Sequence, residues 1–487
     1  MTGLHDDFGG GLRALEAKAQ RELSYLQLPA KPWSPRCRQA GSRADRAAPD
    51  HDVVIIGAGM FGIAAAIALR LKGINNLLLV DAAEAGREGP WRSYARMLTL
   101  RSPKDLPGPS MNIPSLTFRA WYEAVHGEAA WQALYKIPNG VWQNYLEWLM
   151  RFFDLPVRNQ TTVASLTLDG EAIRLTLQDG GSLTARRVVL ATGRDGTGGP
   201  VIPAFVDPTL RPGLAAHSSE AIDFERLRDR HVAIIGAGAS AWDNAATALE
   251  IGAGSVTIYA RRPSLPQFNK ARASTNPGYL VGWAALPPEL KWQLLAYFDA
   301  SPAPPPHETV HRVLAHGGRF DLRLGTRFKS VTAQGGHAVL DFEGGCASAD
   351  FVILGTGFAV DLAKTPILAA LRDRIALWRD RYKPALERPH LGAYPWLGEG
   401  FELQDRAAGS ATGIERIHLF SSASFASVGF LSADIPGLTF AAERLSSRIV
   451  EHLFREEFEA IKAELVAWEE EYELESTPYL VRGGEME

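Results

Sequence analysis

The sequence contains few cysteines. Cys37 and Cys346 are the two present among 487 residues, and they lie far apart in the chain. A redox-active dithiol or a structural zinc site needs closely spaced cysteines, so the sequence predicts neither of them. Two isolated thiols are typical of a protein that works in a reducing compartment, and we therefore expect a cytoplasmic location.

An excess of positive charge and long apolar runs are absent as well. The formal net charge is −4 at pH 7, whereas contacts with nucleic-acid phosphates need a basic excess. No apolar stretch reaches the roughly 20 residues that a membrane-spanning helix requires. We therefore expect neither a nucleic-acid partner nor a transmembrane segment.

The N-terminal arm, residues 1–49, has acids near its start and no apolar signal-peptide core, so we expect no secretory signal. The spacing of Leu12, Leu15 and Leu23 predicts a short amphipathic helix in this arm. Such a helix would pack either on the body of the protein or on a second copy in a homodimer.

The chain contains an internal repeat. The segment that starts at Asp52 matches the segment that starts at His231 without a gap. Each copy has four apolar residues, then Gly-Ala-Gly, then an alanine-rich helical stretch and a second apolar run. This is the order of a β-α-β unit built on buried parallel strands. The sequence therefore predicts an α/β fold with two Rossmann-like dinucleotide-binding domains.

The glycines of each copy have separate roles in a dinucleotide-binding turn. The first allows the tight turn, the second lets a pyrophosphate approach the backbone, and the third position lets helix and strand pack closely. The helix that follows offers free N–H groups and the positive end of its dipole to the phosphates. In order, the positions are Gly57, Gly59 and Gly62 in the first copy and Gly236, Gly238 and Ala241 in the second.

The second strands of the two copies end in opposite charge. Asp81 ends the first, and an acid there accepts hydrogen bonds from ribose hydroxyls, which predicts FAD or NAD. In the second copy Ala260 takes that place and is followed by Arg261 and Arg262. Guanidinium groups suit a 2′-phosphate, which predicts NADPH, although a solvated strand end is the alternative. Two such sites suggest that a nicotinamide passes hydride to a flavin.

Two further apolar strands end in small residues, at Ala191-Thr192-Gly193 and at Gly355-Thr356-Gly357. We expect both to close a domain close to a cofactor, with Gly193 as a cofactor contact. The second unit lies between them, so the NADPH domain is predicted to be inserted into the FAD domain. The predicted boundaries are 50–210 and 347–487 for the FAD domain and 211–346 for the NADPH domain.

Two other segments are predicted to be helical. Residues 97–154 are rich in Trp and Tyr, and these rings would either form a cap packed on the FAD domain or roof an apolar substrate pocket. Residues 455–475 are rich in glutamate, which predicts an acidic helix whose charges face solvent.

With these motifs the sequence resembles the class B flavin-dependent monooxygenases, which include flavin-containing, N-hydroxylating and Baeyer–Villiger monooxygenases. The resemblance implies that Trp91 packs near the isoalloxazine, that Val163 lies by the adenine of FAD, and that Asp434 contacts the flavin ring. The segments that carry it are GAGMFG (57–62), GPW (89–91), LTLRSPK (98–104), GLAAHSS (213–219), GAGASA (236–241), GTGF (355–358) and SADIPGL (432–438).

The motifs that would define the reaction depart from the family patterns. In the segment matching the Baeyer–Villiger fingerprint, His217 is kept but Arg211 and Ala221 replace two aromatic residues. His217 is therefore expected to be a linker residue rather than a base. Arg101 stands where flavin-containing monooxygenases carry an asparagine, and we expect a catalytic, flavin-side role for it. A contact with substrate or NADP, or a structural ion pair, is the alternative; Lys104 is a weaker candidate of the same kind.

The resemblance implies an FAD-dependent, NADPH-consuming monooxygenase that inserts one oxygen atom from O2 into a small organic substrate through a C4a-(hydro)peroxyflavin. The missing Baeyer–Villiger aromatics favour nitrogen or sulfur oxygenation. Baeyer–Villiger oxidation of a ketone, an NADPH oxidase or diaphorase, and a non-catalytic redox-sensing flavoprotein are the alternatives. A disulfide reductase is disfavoured because the chain has no pair of neighbouring cysteines.

Overall fold

The structure, a computed structural model, describes residues 8–35, 49–407, 409, 412–432, 434–469 and 473–480. Its strands are β1 His51–Ile56, β2 Leu77–Val80, β3 Val157–Arg158, β4 Val163–Asp169, β5 Ala172–Leu177, β6 Ser182–Leu190, β7 Gly198–Pro200, β8 Ala215–His217, β9 His231–Ile235, β10 Ser255–Tyr259, β11 Phe320–Arg323, β12 Phe328–Gln334, β13 His337–Phe342, β14 Gly345–Ala349, β15 Phe351–Leu354, β16 Phe358–Val360 and β17 Ile417–Leu419.

The α-helices connect these strands and cover the sheets. They are α1 Phe8–Tyr25, α2 Met60–Leu71, α3 Phe118–His126, α4 Glu128–Ala133, α5 Asn139–Phe152, α6 Ala239–Ile251, α7 Pro277–Gly282, α8 Pro288–Ala300, α9 His307–Leu314, α10 Trp378–Arg381, α11 Pro389–Gly392, α12 Phe425–Val428, α13 Leu438–Glu456 and α14 Phe458–Val466.

The first copy of the repeat forms the centre of the first sheet. Its apolar strand β1 is buried from Asp52 to Ile56 and pairs in parallel with β2 and β6. β3 adds to β2 and β17 adds to β6, both in parallel, while β5 and β4 extend the sheet antiparallel. The connecting helix α2 is buried from Gly62 to Leu69, because its alanines allow close packing between the sheet and α13.

The second copy forms the centre of a second sheet, which is parallel throughout in the order β11-β10-β9-β15-β8. A three-stranded antiparallel sheet, β12-β13-β14, precedes β15 in the chain. The α/β class with two Rossmann-type units is therefore confirmed, as is the helical region between β2 and β3.

A short antiparallel ribbon, β7 with β16, marks the places where the chain leaves the first unit and returns to it. Every strand of the second sheet lies between these two strands in sequence, and β6 and β17 of the first sheet lie outside them. This order is compatible with an inserted second domain, and the boundaries at 210 and 347 stay predictions.

The aromatic residues of the helical region lie in the core. Trp131, Trp142, Tyr145 and Trp148 are buried and belong to the same hydrophobic cluster as α2 and α13. Of the two predicted roles, the cap packed on the first unit is therefore the one that the structure shows for these rings. Tyr135 is the exception, since 75% of its surface is exposed.

The described part of the N-terminal arm packs on the body of the protein. Ala19 and Leu23 of α1 are buried in the first core. The indole Nε1 of Trp148 donates a hydrogen bond to Glu16 at 2.9 Å. Cys37 lies outside the described residues, and Cys346 is an exposed free thiol on β14.

The predicted acidic segment at 455–475 is on the surface over α14, where no residue is buried, but Glu457 departs from the predicted solvated face. Helix α13 ends at Glu456 and α14 begins at Phe458, so the helix breaks at Glu457. Glu457 is 3% exposed and forms an ion pair with the equally buried Arg186. Arg186 also contacts Asp52 at 2.9 Å. A buried arginine needs acidic partners, so Glu457 is buried beside Arg186 rather than exposed to solvent.

In the part of the chain that the structure describes, no single helix is both long and apolar enough to cross a membrane. The bent pair Ser422–Leu431 and Ile435–Glu456 meets those requirements only when its two pieces are joined.

Candidate active site

The first glycine turn is built for a close approach of backbone to ligand. Gly57 has φ +102°, and its N–H donates to the carbonyl of Val80 at 2.8 Å. A Cβ at Gly57 would collide with the carbonyl oxygen of Ala191, and a Cβ at Gly62 would collide with that of Gly57. Glycine is therefore needed at both positions to keep the turn and the helix against the sheet.

The amino end of α2 is open to an anionic ligand. Gly59 is the N-cap residue and provides no side-chain hydrogen bond, so the first N–H groups of the helix keep their donor capacity. A Cβ at Gly59 would lie 3.7 Å from the Cα of Gly89, so the Gly-Pro-Trp turn lies beside the glycine turn.

Two buried donors near this turn have no hydrogen-bonding partner among the described residues. They are the indole Nε1 of Trp91 and the hydroxyl of Thr192, which precedes Gly193. Trp91 packs edge-on against Trp142, with ring centroids 6.5 Å apart. Unpartnered donors beside an uncapped helix end fit a phosphate-bearing nucleotide such as FAD.

The structure brings Asp81 and Val163 to the same corner of the first unit. The carboxylate of Asp81 accepts hydrogen bonds from the N–H groups of Ala58 at 2.7 Å and Ala83 at 2.8 Å. The N–H of Thr161 donates to the carbonyl of Asp81 at 2.8 Å, and Val163 packs in one cluster with Val80. The predicted ribose and adenine contacts are therefore neighbours.

The second glycine turn repeats the first. Gly236 has φ +113°, and a Cβ there would collide with the carbonyl oxygen of Gly355. Gly238 is an N-cap without a side-chain hydrogen bond, and a Cβ at this position would meet no atom within 4 Å. The amino end of α6 thus offers open space and free N–H groups to a second nucleotide.

Arg261 and Arg262 lie at one side of a cleft of ≈ 520 Å³. Neither guanidinium has a hydrogen-bonding or ion-pair partner among the residues that the structure describes. Lys270 lines the same cleft and lies 5.5 Å from the ring centre of the exposed Phe268. Cations with unused donors at a strand end fit the 2′-phosphate of NADPH.

Arg101 is held by the second unit. Its Nη2 lies 2.5 Å from Oδ2 of Asp243 on α6, and Oδ1 of Asp243 accepts a hydrogen bond from Thr309 at 2.9 Å. Burial raises the pKa of Asp243, and Arg101 opposes that rise. The predicted alternative of a structural ion pair is therefore present, and the flavin-side catalytic role stays a prediction. Lys104 donates to the carbonyl of Trp131 at 2.7 Å.

His217 is buried at the point where the two chain crossings meet. Its Nδ1 accepts a hydrogen bond from the N–H of Ser219 at 3.2 Å, and its Nε2 faces the carbonyl of Gly357 at 3.1 Å. Burial lowers the pKa of His217, which favours the neutral ring with its proton on Nε2. Both nitrogens are used within the linker, which supports the linker role.

Asp434 is exposed and caps a short 3₁₀ helix, Ile435–Gly437, that leads into α13. Its Oδ1 accepts a hydrogen bond from the N–H of Ile435 at 2.8 Å. The contact of Asp434 with a flavin ring stays a prediction.

Comparisons with known proteins place this geometry in a family. A family model described as pyridine nucleotide-disulphide oxidoreductase matches residues 54–279. A curated FAD-dependent urate hydroxylase from Xanthomonas campestris is 38% identical over 455 residues, which cover 92% of this chain and 94% of that protein. The chain belongs to the class B flavin-dependent monooxygenases. The prediction of an FAD-dependent monooxygenase is thereby confirmed.

Solved structures of other monooxygenases share the fold. An ornithine hydroxylase from Pseudomonas aeruginosa is 19% identical and covers 83% of this chain and 99% of its own, with a TM-score of 0.62. An ornithine N-hydroxylase from Kutzneria is 15% identical, with coverage of 82% and 99% and a TM-score of 0.65. At these identities the likeness concerns the arrangement of the two nucleotide units.

The sequence reasoning missed the buried acid that pairs with Arg101. Asp243 occupies the position that Ala64 holds in the first copy of the repeat. An acid inside an otherwise alanine-rich helix was the available signal. Its partner Arg101 was identified, but the pairing joins residues 142 positions apart and has no local pattern.

Proposed function

We propose that this monooxygenase consumes NADPH and O2 and hydroxylates a small, planar nitrogen heterocycle of the urate type. The observation that carries the proposal is the 38% identity with a urate hydroxylase, which extends over both nucleotide units and nearly the full length of both chains. The earlier preference for nitrogen or sulfur oxygenation stays a prediction, because the ornithine hydroxylases support the fold alone.

The residues of the first unit fit FAD. Gly57 and Gly59 would admit the pyrophosphate to the amino end of α2, and Asp81 would face the ribose. Trp91 and Thr192 would gain partners for their buried donors. FAD held by these residues would supply the redox chemistry of hydride acceptance and dioxygen activation.

The residues of the second unit fit NADPH. The turn from Gly236 to Gly238 would hold the pyrophosphate, and Arg261 with Arg262 would pair with the 2′-phosphate. The two glycine turns follow the carboxyl ends of the parallel strands β1 and β9. Open α/β sheets bind ligands at the carboxyl ends of their strands. His217 ties the two crossings between the units through Gly357, and so helps to fix one turn relative to the other.

A coupled assay tests the proposal on the purified, FAD-loaded enzyme. NADPH and O2 consumption would be followed with urate, xanthine, ornithine, an alkyl sulfide and a cyclic ketone. Urate should accelerate NADPH oxidation, and little peroxide should form. The product should contain one atom of ¹⁸O when the reaction is run under ¹⁸O2.

The other outcomes assign the alternatives. Stimulation by ornithine or the sulfide, without urate turnover, would support nitrogen or sulfur oxygenation, and turnover of the ketone would support Baeyer–Villiger chemistry. Peroxide equal to NADPH with every compound would identify an oxidase. A flavin that NADPH does not reduce would contradict the catalytic proposal.

A further inference from the structure

Two ion pairs join the helical region of the first unit to the second unit. Arg101 pairs with Asp243 of α6, and Lys136 pairs with Glu308 of α9. Asp243 is 2% exposed, so this carboxylate is removed from water almost completely. An isolated buried carboxylate is costly; Arg101 is the cation paired with it and lowers its pKa more than Arg312 does.

Arg101 and Lys136 lie on two chain segments that are hydrogen-bonded to each other. The segments that carry them are bridged by backbone hydrogen bonds, from Leu100 N–H to Ile137 at 2.8 Å and from Asn139 N–H to Leu98 at 3.2 Å. Arg101 and Lys136 therefore move together if the first unit moves relative to the second.

The two acceptors are also tied to each other. Thr309 follows Glu308 on α9, and its hydroxyl group donates a hydrogen bond to the carboxylate of Asp243 on α6 at 2.9 Å. A second pair, Arg312 with Glu250 at 2.8 Å, joins the same two helices without reaching the first unit. The contacts across the units can therefore be removed separately from those within the second unit.

The acid is not a requirement of the β-α-β fold, because Ala64 fills the matching position of the first unit and is buried there. Asp243 follows Gly238 by five residues, which places it about 7–8 Å along α6 from the open amino end. The ion pair thus lies between the two units, within about two turns of the helix end that would receive the second nucleotide.

We propose that Asp243 is a positioning residue that holds Arg101 across the junction of the two units, and that Arg101–Asp243 with Lys136–Glu308 forms a clasp between the two nucleotide units. The clasp keeps the units together and water out of the junction while oxygen is transferred, because water entry lets reduced oxygen escape as peroxide. The proposal rests on the proposed monooxygenase function for its effect on coupling, and on the structure alone for the closure of the units.

Hydrogen–deuterium exchange tests the closure without any activity measurement. Asp243→Asn keeps the size of the side chain and removes its charge, and Arg101→Gln removes the same pair from its more exposed side. Both variants of the FAD-loaded enzyme should speed amide exchange in residues 98–101 and in 136–139 about fivefold or more. Glu250→Gln, the matched control within the second unit, should leave both segments unchanged. Unchanged exchange in both test variants would overturn the clasp.

Peroxide release tests the consequence. With a coupled substrate, Asp243→Asn and Arg101→Gln should raise the peroxide formed per NADPH about fivefold, while anaerobic flavin reduction of the Asp243→Asn enzyme at saturating NADPH stays within about twofold. The double variant should equal either single variant, because Asp243 acts through Arg101. Additive effects, or slower flavin reduction with unchanged peroxide, would overturn the positioning role. Failure of the wild type to couple any substrate would contradict the proposed function and leave the exchange result intact.

Discussion

In the first unit Val53 of β1 lies opposite Leu77 of β2, and in the second unit the matching residues Val232 and Val256 lie opposite each other. In each unit the first glycine of the turn lies against a backbone carbonyl at the end of another strand. The carbonyl belongs to Ala191, after β6, in the first unit and to Gly355, after β15, in the second. The two scaffolds are therefore superposable in register. They differ at the strand ends and on their helices.

The differences concern charge and contact rather than backbone. The first unit ends its second strand in Asp81, whose carboxylate is fixed by two backbone N–H groups, whereas the second ends in Arg261 and Arg262. Helix α2 is buried among apolar residues, whereas α6 presents Asp243 to Arg101. A repeated scaffold can thus be given a different ligand and a different neighbour by changing a few side chains.

The largest expected effect is at the position where the helices differ in packing. Gly62→Ala would place a methyl group on the backbone of Gly57, which should destabilise the first unit by more than about 4 kcal/mol. Ala241→Gly, the matching change in the second unit, should cost about 1 kcal/mol. Thermal unfolding and flavin content measure both, and a Gly62→Ala enzyme that retains its full flavin would contradict the comparison.

The second effect concerns the strand-end charges. Replacing Arg261 and Arg262 with alanine should raise the KM for NADPH about 100-fold, since two charge-assisted hydrogen bonds contribute about 3 kcal/mol. The KM for NADH should stay within about twofold. Ala260→Asp, which gives the second unit the acid of the first, should shift preference towards NADH. Arg228→Ala is a control on the surface of the same unit. Equal changes in the KM for NADPH and for NADH would contradict the assignment of Arg261 and Arg262 to the 2′-phosphate.

A third effect separates the amino ends of the central strands. Asp52 of β1 is buried and contacts Arg186, whereas the matching His231 of β9 is half-buried and bonds to Ser255. Asp52→Asn should lower the free energy of unfolding by about 2 kcal/mol, because it leaves a buried arginine short of one acid. His231→Gln should cost less than about 1 kcal/mol. Urea unfolding measures both, and equal losses would show that the two strand ends are equivalent.

The smallest effect is a pH dependence of the same network. Burial raises the pKa of Glu456, but Arg187 and Arg186 together outweigh it and lower that pKa below 4.5. A carboxyl group whose pKa is lower in the folded state stabilises the fold at pH values above its unfolded-state pKa. That stabilisation is lost as the pH falls through the folded-state pKa. Glu456→Gln should therefore flatten the fall in stability below pH 4.5. An unchanged slope would show that this glutamate is not part of the acid response.

The fold could be predicted because its determinants are local. An apolar run, a glycine turn and an alanine-rich helix follow one another within each copy, and the matching of Gly57 with Gly236 needs no knowledge of the whole molecule. Asp81 and Arg261 could be placed at the ends of the second strands for the same reason, and their contacts with nucleotides stay predictions.

The contacts between distant segments could not be predicted. Glu457 reads as part of a solvated acidic stretch, because its partner Arg186 lies 271 residues away. Arg101 and Asp243 depend on how the two units face each other, which no local periodicity encodes. Charge composition correctly predicts that most acidic residues face solvent. It cannot identify the few that are buried because they pair with a buried cation.

The ribbon of β7 and β16 has a consequence for how the molecule can change over evolutionary time. Gly198 and Val360 are Cα partners there, so removal of the residues between them would leave two chain ends about 5 Å apart. A two-residue turn would close that gap, with β6 and β17 still side by side. The chain therefore enters and leaves the second sheet at one place, so the strands between β7 and β16 could be removed or exchanged with β6 and β17 still paired.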